Sequence, residues 1–483
     1  MKRSSPLSLL LVLAALMAAL VPQPGQALSD AEAASEAKVL LQTSGIKGGI
    51  VVHVGCSDGK LTAALKANDS YQVQGLTGDA SAVMAAREAV SKAGVYGAVA
   101  VDSWDGKTLP YIENLVNLLV VEDPAMVSKE ELLRVLTPNG VAMVRKNGGW
   151  EKIVKPRPPE MDEWTHYAYD SKGNTTSKDL LVGPPKRMQW VGNPRWSRHH
   201  DRMSSVSAMV SSGGRIFYII DEGSRISILM PAKFMLVARD AFNGTVLWKK
   251  PIPEWSTHLW PLKSGPTELT KRLVADGDRL FVTMGITAPI SCLDAATGNV
   301  IRDYPQTAGT EEIMYRNGVL YSLANKNADR LNEEFSVKAQ SDQQRVTTEF
   351  NWDGKPRTLF VMDAETGKTL WEKEDRIAPI TLALDDKRLV YFNGDGITCL
   401  DAKSGATKFA DAPAKKRALY EFNFGPRLVL HDDIILYAGG DGTMKAVNPD
   451  TGKDIWVAPH EKSGYRSPED LIVAHGLVWN AGT

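Results

Sequence analysis

Cysteine is scarce in this sequence of 483 residues, which contains only Cys56, Cys292 and Cys399. Three widely spaced cysteines, no two of them adjacent, exclude a disulfide-stapled scaffold. Cys292 and Cys399 each stand two residues before an aspartate, within an apolar run. We therefore expect them to be small side chains of a buried core.

An excess of one charge is also missing, since 56 Lys and Arg residues stand against 57 Asp and Glu residues and the net charge is −1. Binding to nucleic acid or to an anionic membrane surface draws on a basic surplus. The balance argues against nucleic acid as a partner. No clustered acidic motif indicates a metal site either.

Long apolar runs are absent except at the N-terminus, where residues 7–21 follow Lys2 and Arg3. This run falls short of the ~20 residues that span a bilayer. Small residues follow it at Gly25 and Ala27, which is the layout of a secretory signal peptide over residues 1–27, cleaved after Ala27. The sequence therefore predicts a periplasmic or secreted protein with no integral membrane segment after cleavage.

One sequence motif recurs five times, most clearly as "LFVMDAETGKTLWEKE" around Asp363. Three copies place an Asp or Asn, a Gly four residues later and a Trp after four more: Asp240/Gly244/Trp248, Asp363/Gly367/Trp371 and Asn448/Gly452/Trp456. Two weaker copies change the last position: Asp294/Gly298/Arg302 and Asp401/Gly405/Phe409. The Asp or Asn and the Gly predict a tight turn between two strands. The Trp is expected to fill the gap between stacked sheets.

The acid positions of successive copies lie 54, 69, 38 and 47 residues apart. One four-stranded propeller blade consumes ~40–50 residues. The repeats therefore predict a β-propeller over residues 201–483, with about five marked blades and the start of another, incomplete in this chain. Either a strand at Leu181–Val191 helps to complete the last blade, or the sequence is a fragment of a longer protein. The polar insertion between the second and third copies is expected to project as a loop or hairpin.

Residues 36–155 differ from the repeats, because short β-branched runs alternate with Ala-rich helical runs. This order predicts an α/β domain with a parallel sheet and crossover helices. Residues 156–200, which begin rich in Pro and basic residues, are expected to form a linker and a lead-in to the propeller.

The α/β segment resembles the class I S-adenosylmethionine-dependent methyltransferases over about 110 residues, in "GLTGDASAVMAAREAV" and "VAVDSWDGKTLPYIENLVNLLVVED". The resemblance implies S-adenosylmethionine as a cofactor and a Rossmann-like fold. The positions that would hold the cofactor are Gly55, Ser57, Gly59, Thr77, Asp79 and Asp102. Departures from the family pattern are His53 in place of an acid, Ser57 in place of the middle glycine, and Thr77 in place of the ribose-binding acid. A degenerate cofactor site is the expectation.

The repeats, together with "DEWTHYAYDSKGNTTS" and "PPKRMQWV", resemble the quinoprotein-like propellers. This group includes pyrroloquinoline-quinone (PQQ) dehydrogenases and non-enzymatic outer-membrane assembly propellers. The resemblance implies PQQ with calcium if the chain is an enzyme. The adjacent cysteine pair of those dehydrogenases is missing here.

The stretch "PRWSRHHD" is the densest set of functional side chains in the sequence. Trp196 and Arg198 supply a flat face and a cation for a ligand at the propeller entrance. His199, His200 and Asp201 supply two imidazoles and a carboxylate that suit acid–base catalysis. The alternative is a polar loop with its histidines on opposite sides.

Taken together, these features favour an exported PQQ-like propeller protein that acts as a binding or scaffold module for an unknown protein or small-molecule ligand on the propeller face. The alternative is a divergent PQQ-dependent oxidoreductase, and a third function is an active methyltransferase. The sequence leaves open whether the chain is an enzyme.

Overall fold

The computed structural model describes residues 28–185, 188–193, 206–262, 267–326, 328–416, 425–461 and 470–480. The chain divides into two compact units. The first comprises Met1–Pro158 and the short segment Phe242–Leu247, and the second comprises Pro159–Ala241 and Trp248–Thr483.

The first unit is a Rossmann-like α/β domain. Its six-stranded sheet has the order β3-β2-β1-β4-β5-β6, in which β1 to β5 pair in parallel and β6 is antiparallel to β5. The strands are β1 Gly49–Val54, β2 Tyr71–Thr77, β3 Val99–Ser103, β4 Val116–Val121, β5 Leu136–Lys146 and β6 Gly149–Val154. The helices are α1 Asp30–Ser44, α2 Lys60–Ala64, α3 Ala80–Lys92 and α4 Lys129–Val135. The predicted parallel sheet with crossover helices is confirmed.

Burial on both faces explains why β4 is apolar along nearly its whole length. Every residue of β4 is buried, and alternate residues face two separate hydrophobic clusters. One cluster contains Leu40 of α1 and Ala86 of α3, and the other contains Leu132 of α4. The sheet is therefore a central layer between helices.

The second unit has the sheets of a β-propeller. Five sheets are four-stranded antiparallel meanders and a sixth sheet, β27–β28, has two described strands. The first three four-stranded sheets contain β7 Val206–Ser212, β8 Arg215–Asp221, β9 Phe234–Asp240, β10 Val246–Pro251, β11 Leu273–Asp276, β12 Arg279–Thr283, β13 Ile290–Asp294, β14 Val300–Tyr304, β15 Thr310–Arg316, β16 Val319–Ala324, β17 Arg357–Asp363 and β18 Thr369–Asp375. The remaining strands are β19 Ala383–Leu384, β20 Arg388–Phe392, β21 Gly396–Asp401, β22 Thr407–Pro413, β23 Arg427–His431, β24 Ile434–Ala438, β25 Thr443–Val447, β26 Asp454–Pro459, β27 Ile472–Ala474 and β28 Leu477–Trp479. The predicted propeller fold is confirmed, and we number its sheets as blades 1 to 6 in chain order.

The repeated motif forms the turn between the third and fourth strands of a blade. In blade 3, the Asp363 carboxylate accepts hydrogen bonds from the backbone N–H and the hydroxyl of Thr366, both at 2.7 Å. The N–H of Gly367 donates to the Asp363 carbonyl at 2.8 Å, and Gly367 has a φ of +74°. The turn that the Asp–Gly spacing predicts is therefore present.

The tryptophan of one blade packs on the turn of the next blade. Trp248 Nε1 donates to the Ala295 carbonyl at 3.0 Å, and Trp371 Nε1 donates to the Ala402 carbonyl at 3.3 Å. A Cβ on Gly405, in the turn that receives Trp371, would lie 2.7 Å from the indole ring. The repeat glycine therefore supplies a positive φ and also leaves room for the indole of the preceding blade.

Trp190 makes the same contact from outside the five repeats. Its Nε1 donates to the carbonyl of Ala241, in the turn of blade 1, at 3.0 Å. The described residues from 181 to 191 lie in no strand, so the expected strand at Leu181–Val191 is wrong for that part of the segment. The lead-in supplies the indole of an outer strand without forming that strand.

The insertion between blade strands β16 and β17 is a helical layer and not the expected loop or hairpin. It contains helix α5, Ala339–Glu349, and the side chains of Phe335 and Phe350 on either side of this helix are buried. Phe335 and Phe350 pack edge-on against Trp260 at ring-centroid distances of 5.2 Å. Three buried aromatic rings offset the polar composition that made the segment read as a loop.

We expect Trp371→Ala to lower the free energy of unfolding by about 3 kcal/mol, because it removes a packed indole from the interface between blades. The matched control is Leu370→Ala on the same strand, whose side chain is half exposed. Trp190→Ala should also destabilise the protein if its contact is equivalent. Denaturant unfolding measures all three variants, and an unchanged midpoint for Trp371→Ala would contradict the docking role.

Candidate functional site

The carboxyl edge of the α/β sheet is where the cofactor-type residues of the first unit gather. His53, near the end of β1, is 3% exposed. Its Nδ1 lies 2.8 Å from the Thr62 hydroxyl and its Nε2 lies 3.1 Å from Glu122 Oε1. Arg145 contacts the other carboxylate oxygen of Glu122 at 3.1 Å and Glu36 at 2.8 Å. A polar network internal to the domain therefore occupies the end of β1.

Glu122 is the centre of this network. Burial favours its neutral form, but the hydrogen bond and charge of His53 and the charge of Arg145 outweigh burial, so the pKa of Glu122 lies below its usual range. The carboxylate is thus ionised and already has partners on both oxygens. Neither oxygen of Glu122 is left unpaired for a ligand.

The turn after β1 contains the three residues that match the glycine-rich motif. Gly55 and Gly59 have φ of +87° and +75°, as a tight strand-to-helix turn requires. A Cβ on Gly59 would lie 2.6 Å from Ala86 Cα, so this glycine allows α3 to approach. Ser57 between them is exposed. Two of the three positions therefore have a packing role that needs no ligand.

The remaining cofactor-type residues are also engaged within the domain. Asp79 caps α3, where it accepts hydrogen bonds from the N–H and hydroxyl of Ser81 at 2.8 Å, and these bonds hold its pKa below the usual range. Thr77 is 8% exposed and accepts from the Asp79 N–H at 3.4 Å. Asp102 accepts from Arg87 at 3.0 Å and from Gln74 at 2.8 Å. The structure brings these residues to one edge of the sheet, where the side chain of each is hydrogen-bonded to another group of the same domain.

In the second unit, the lead-in residues 164–174 contact the first strand of each blade. The contacts follow chain order. They are Ser211 N to Trp164 O at 2.7 Å, Ala275 N to Thr165 O at 3.0 Å, Tyr315 N to His166 Nε2 at 3.2 Å, Leu384 N to Ser171 O at 2.7 Å, Leu430 N to Lys172 O at 2.9 Å and Val473 N to Asn174 Oδ1 at 2.9 Å. The lead-in is therefore bound to all six blades.

His166 is the histidine of this lead-in and acts as an acceptor. Burial, together with the charges of Lys271 and Arg316, lowers its pKa to about 3. The imidazole is therefore neutral, and its Nε2 accepts from the Tyr315 N–H. A general-base role would require access to a substrate, and the ring is only 7% exposed.

A second group of charged side chains is buried where the first strands of blades 2 and 3 begin. Lys271 contacts Glu312 Oε1 at 2.5 Å and the carbonyl of Ile380 at 3.1 Å, which joins blades 2, 3 and 4. Burial lowers the pKa of Lys271 and raises that of Glu312, and their ion pair opposes both shifts. Nearby, Glu311 accepts from Asn325 at 2.6 Å and from Arg357 at 3.0 Å.

Three members of this group lack full partners: Glu312 at Oε2, and Glu268 and Arg272 more extensively. Both carboxylate oxygens of Glu268 are buried with no hydrogen-bond partner, and so are Nε and Nη2 of Arg272. Burial and the nearby charge of Glu311 raise the pKa of Glu268 well above its usual range, and Arg272 and Arg357 oppose this shift. Sequence reasoning missed both residues, since "TELTKR" has the polar character of an exposed loop.

Several sequence predictions fall elsewhere. Trp196, Arg198, His199, His200 and Asp201 lie outside the described residues. Trp255 is buried and donates to the Ser207 hydroxyl at 3.2 Å, which is a packing role. Within the part of the chain that the structure describes, no three His, Cys, Asp or Glu side chains are arranged to hold a metal ion. Among the described helices, none has both the length and the apolar character needed to cross a bilayer.

Glu268 should give the protein a measurable pH dependence. Its folded-state pKa is raised, so the native state binds more protons than the unfolded state in the window above the usual glutamate pKa of 4.5, and stability falls as pH rises through that window. Glu268→Gln removes this titration. The melting temperature of the variant minus that of the wild type should therefore increase with pH, with the exposed Glu372→Gln as control. Parallel curves for wild type and Glu268→Gln would contradict the assignment.

Comparison with known proteins gives one family match. Residues 330–470 match the PQQ-like family model described as outer membrane protein assembly factor BamB. No curated protein matches the sequence.

Solved structures resemble separate parts of the chain. A protein of Methanococcus maripaludis, described as a candidate S-adenosyl-L-methionine-dependent methyltransferase, matches at 15% identity and a TM-score of 0.22, over 26% of this chain and 66% of its own. Geranyl diphosphate C-methyltransferase from Streptomyces coelicolor matches at 16% identity and a TM-score of 0.22, over 26% of this chain and 52% of its own. The computationally designed protein Ika8 matches at 14% identity and a TM-score of 0.32, over 57% of this chain and 80% of its own.

The chain spans between 49% and 66% of the length of the first four structures that it matches. The family match covers residues 330–470, which contain the last three copies of the repeated turn. The chain therefore combines propeller sheets that are similar in part to this PQQ-like family with an N-terminal Rossmann-like α/β domain.

Proposed function

We propose that this protein is an exported binding or scaffold module whose methyltransferase-like domain is structural and whose propeller carries the ligand or partner. The observation that carries the proposal is the internal pairing of the cofactor-type residues. Asp102 is held by Arg87 and Gln74, and His53 is held by Thr62 and Glu122.

The energetics of this pairing oppose cofactor binding. Asp102, which matches the acid near the adenine, already accepts from Arg87 and from Gln74, so an adenine amino group would compete with both bonds. Thr77, at the position of the ribose-binding acid, has one hydroxyl and cannot act as a bidentate acceptor. The positions that match the cofactor site are thus either engaged within the domain or altered in type.

The propeller supports a binding role through its lead-in. Residues 164–174 occupy the same end of all six first strands, so a ligand or partner has to use the loops at the other end or the outer surface. The buried Glu268 and Arg272 directly precede β11, which binds the lead-in near its opposite end, at Ala275.

The second candidate function is a divergent PQQ-dependent oxidoreductase. The incompletely paired Glu268 and Arg272 favour it, because a buried acid and guanidinium are suited to holding a polar ligand. We rank it below the binding module, since the family that matches the repeats is described as an assembly factor.

A thermal-shift titration separates these functions. We expect no saturable change in melting temperature with S-adenosylmethionine and none with PQQ plus calcium, since a ligand that binds the native state raises it. A rise with S-adenosylmethionine that is lost in Asp102→Asn would overturn the structural role of the α/β domain. A rise with PQQ and calcium that is lost in Glu268→Gln would establish the oxidoreductase.

Export is tested separately. Cleavage after Ala27 would leave Ser29 in place, and Ser29 caps α1 through a capping box with Glu32. Intact-mass measurement of the protein from the cell envelope or medium should give a chain that begins at Leu28. A chain retaining Met1 in the cytoplasm would contradict export.

A further inference from the structure

The unpaired edge of Arg272 is the strongest feature that the proposed function leaves unexplained. Arg272 is 0% exposed, and its Nη1 donates to the Ile286 carbonyl at 2.6 Å. Its Nε and Nη2 have no partner. These two nitrogens form one side of the planar guanidinium, which is the side that binds a carboxylate through two parallel hydrogen bonds.

The carboxylates of this region do not fill that role. Glu311 is paired with Arg357 and Asn325, and one oxygen of Glu312 is paired with Lys271. Glu268 lies close enough for its charge to act on the pKa of Arg272, but no hydrogen bond joins the two side chains. Arg272 therefore has acids around it and none on its free edge.

Further polar atoms without partners lie on neighbouring segments. Glu268 is 1% exposed, and both of its carboxylate oxygens lack partners, as does the Thr283 hydroxyl. The backbone connects two of these groups directly, because the Thr283 N–H donates to the Arg272 carbonyl at 3.3 Å. Leaving a buried charged group without partners is costly. The set thus contains free donors on Arg272 and free acceptors on Glu268.

We propose that Glu268 and Arg272 form a binding site for a small carboxylate that also carries a hydroxyl or amino group. The ligand carboxylate accepts from Nε and Nη2 of Arg272, and the ligand O–H or N–H donates to Glu268. This inference rests on the proposed function as a binding module and names the ligand class of its propeller.

The chemistry distinguishes this class from simpler ligands. Acetate satisfies Arg272 but leaves Glu268 without a donor. Ethylene glycol offers hydroxyls but no carboxylate for the guanidinium edge. Glycolate and glycine offer both groups, so they should bind more tightly than either simpler compound.

The experiment is a calorimetric and thermal-shift titration of the mature full chain with glycolate, glycine, acetate and ethylene glycol. We expect saturable binding of glycolate or glycine, about tenfold or more tighter than that of acetate, and none of ethylene glycol. Glu268→Gln should abolish the preference over acetate. Arg272→Gln should weaken binding of all three carboxylates by about tenfold or more.

The matched control is Arg388→Gln in blade 4. Arg388 is also buried, at 5% exposure, but it is bonded to Asp385 and Asp433, so its loss should leave carboxylate binding unchanged. If Arg272→Gln does not fold, the isosteric Glu268→Gln variant tests the inference, because the ratio of its affinities for glycolate and acetate should fall to about that of equal binding. Absence of saturable binding by glycolate and glycine, or equal binding of acetate, would overturn the inference. Neither result would affect the S-adenosylmethionine and PQQ titrations, which test the proposed function.

Discussion

The hydrogen bonds between the lead-in and the first strands of the six blades are the contacts on which the propeller depends. The first strand of each blade is an edge strand, and an edge strand presents backbone N–H and C=O groups that no neighbouring strand pairs. Residues 164–174 accept from one such N–H in every blade. A segment of eleven residues thereby fixes the order of sheets that are hundreds of residues apart in the chain.

The lead-in also explains why polar and aromatic side chains are so dense before the repeats. His166 has to be neutral to accept from Tyr315, and burial among cations keeps it so. The Ser171 hydroxyl donates to the Leu384 carbonyl at 2.9 Å, beside the backbone bond between the same residues. In the described structure, these residues provide hydrogen-bond partners for the edge strands.

Both units contain buried polar atoms without partners. In the α/β domain, Glu122 is bonded to His53 and Arg145, whereas Glu36 Oε2 and Asp58 Oδ2 are buried without a partner. In the propeller, the buried group around Glu268 and Arg272 is only partly satisfied. Buried polar atoms without partners are uncommon in native proteins and call for an explanation such as a bound ligand.

The sequence by itself determined the local features of both units. The Asp–Gly spacing specified the turns because an Asx turn and a positive φ depend on residues a few positions apart. The alternation of β-branched and Ala-rich runs specified the parallel sheet for the same reason. Tertiary structure alone decided that Trp190 packs on the turn of blade 1, that Phe335 and Phe350 of the insertion pack on Trp260, and that Glu268 and Arg272 are both buried. Each of these contacts joins distant segments, and a local pattern of polar or aromatic residues does not reveal which groups burial will bring together.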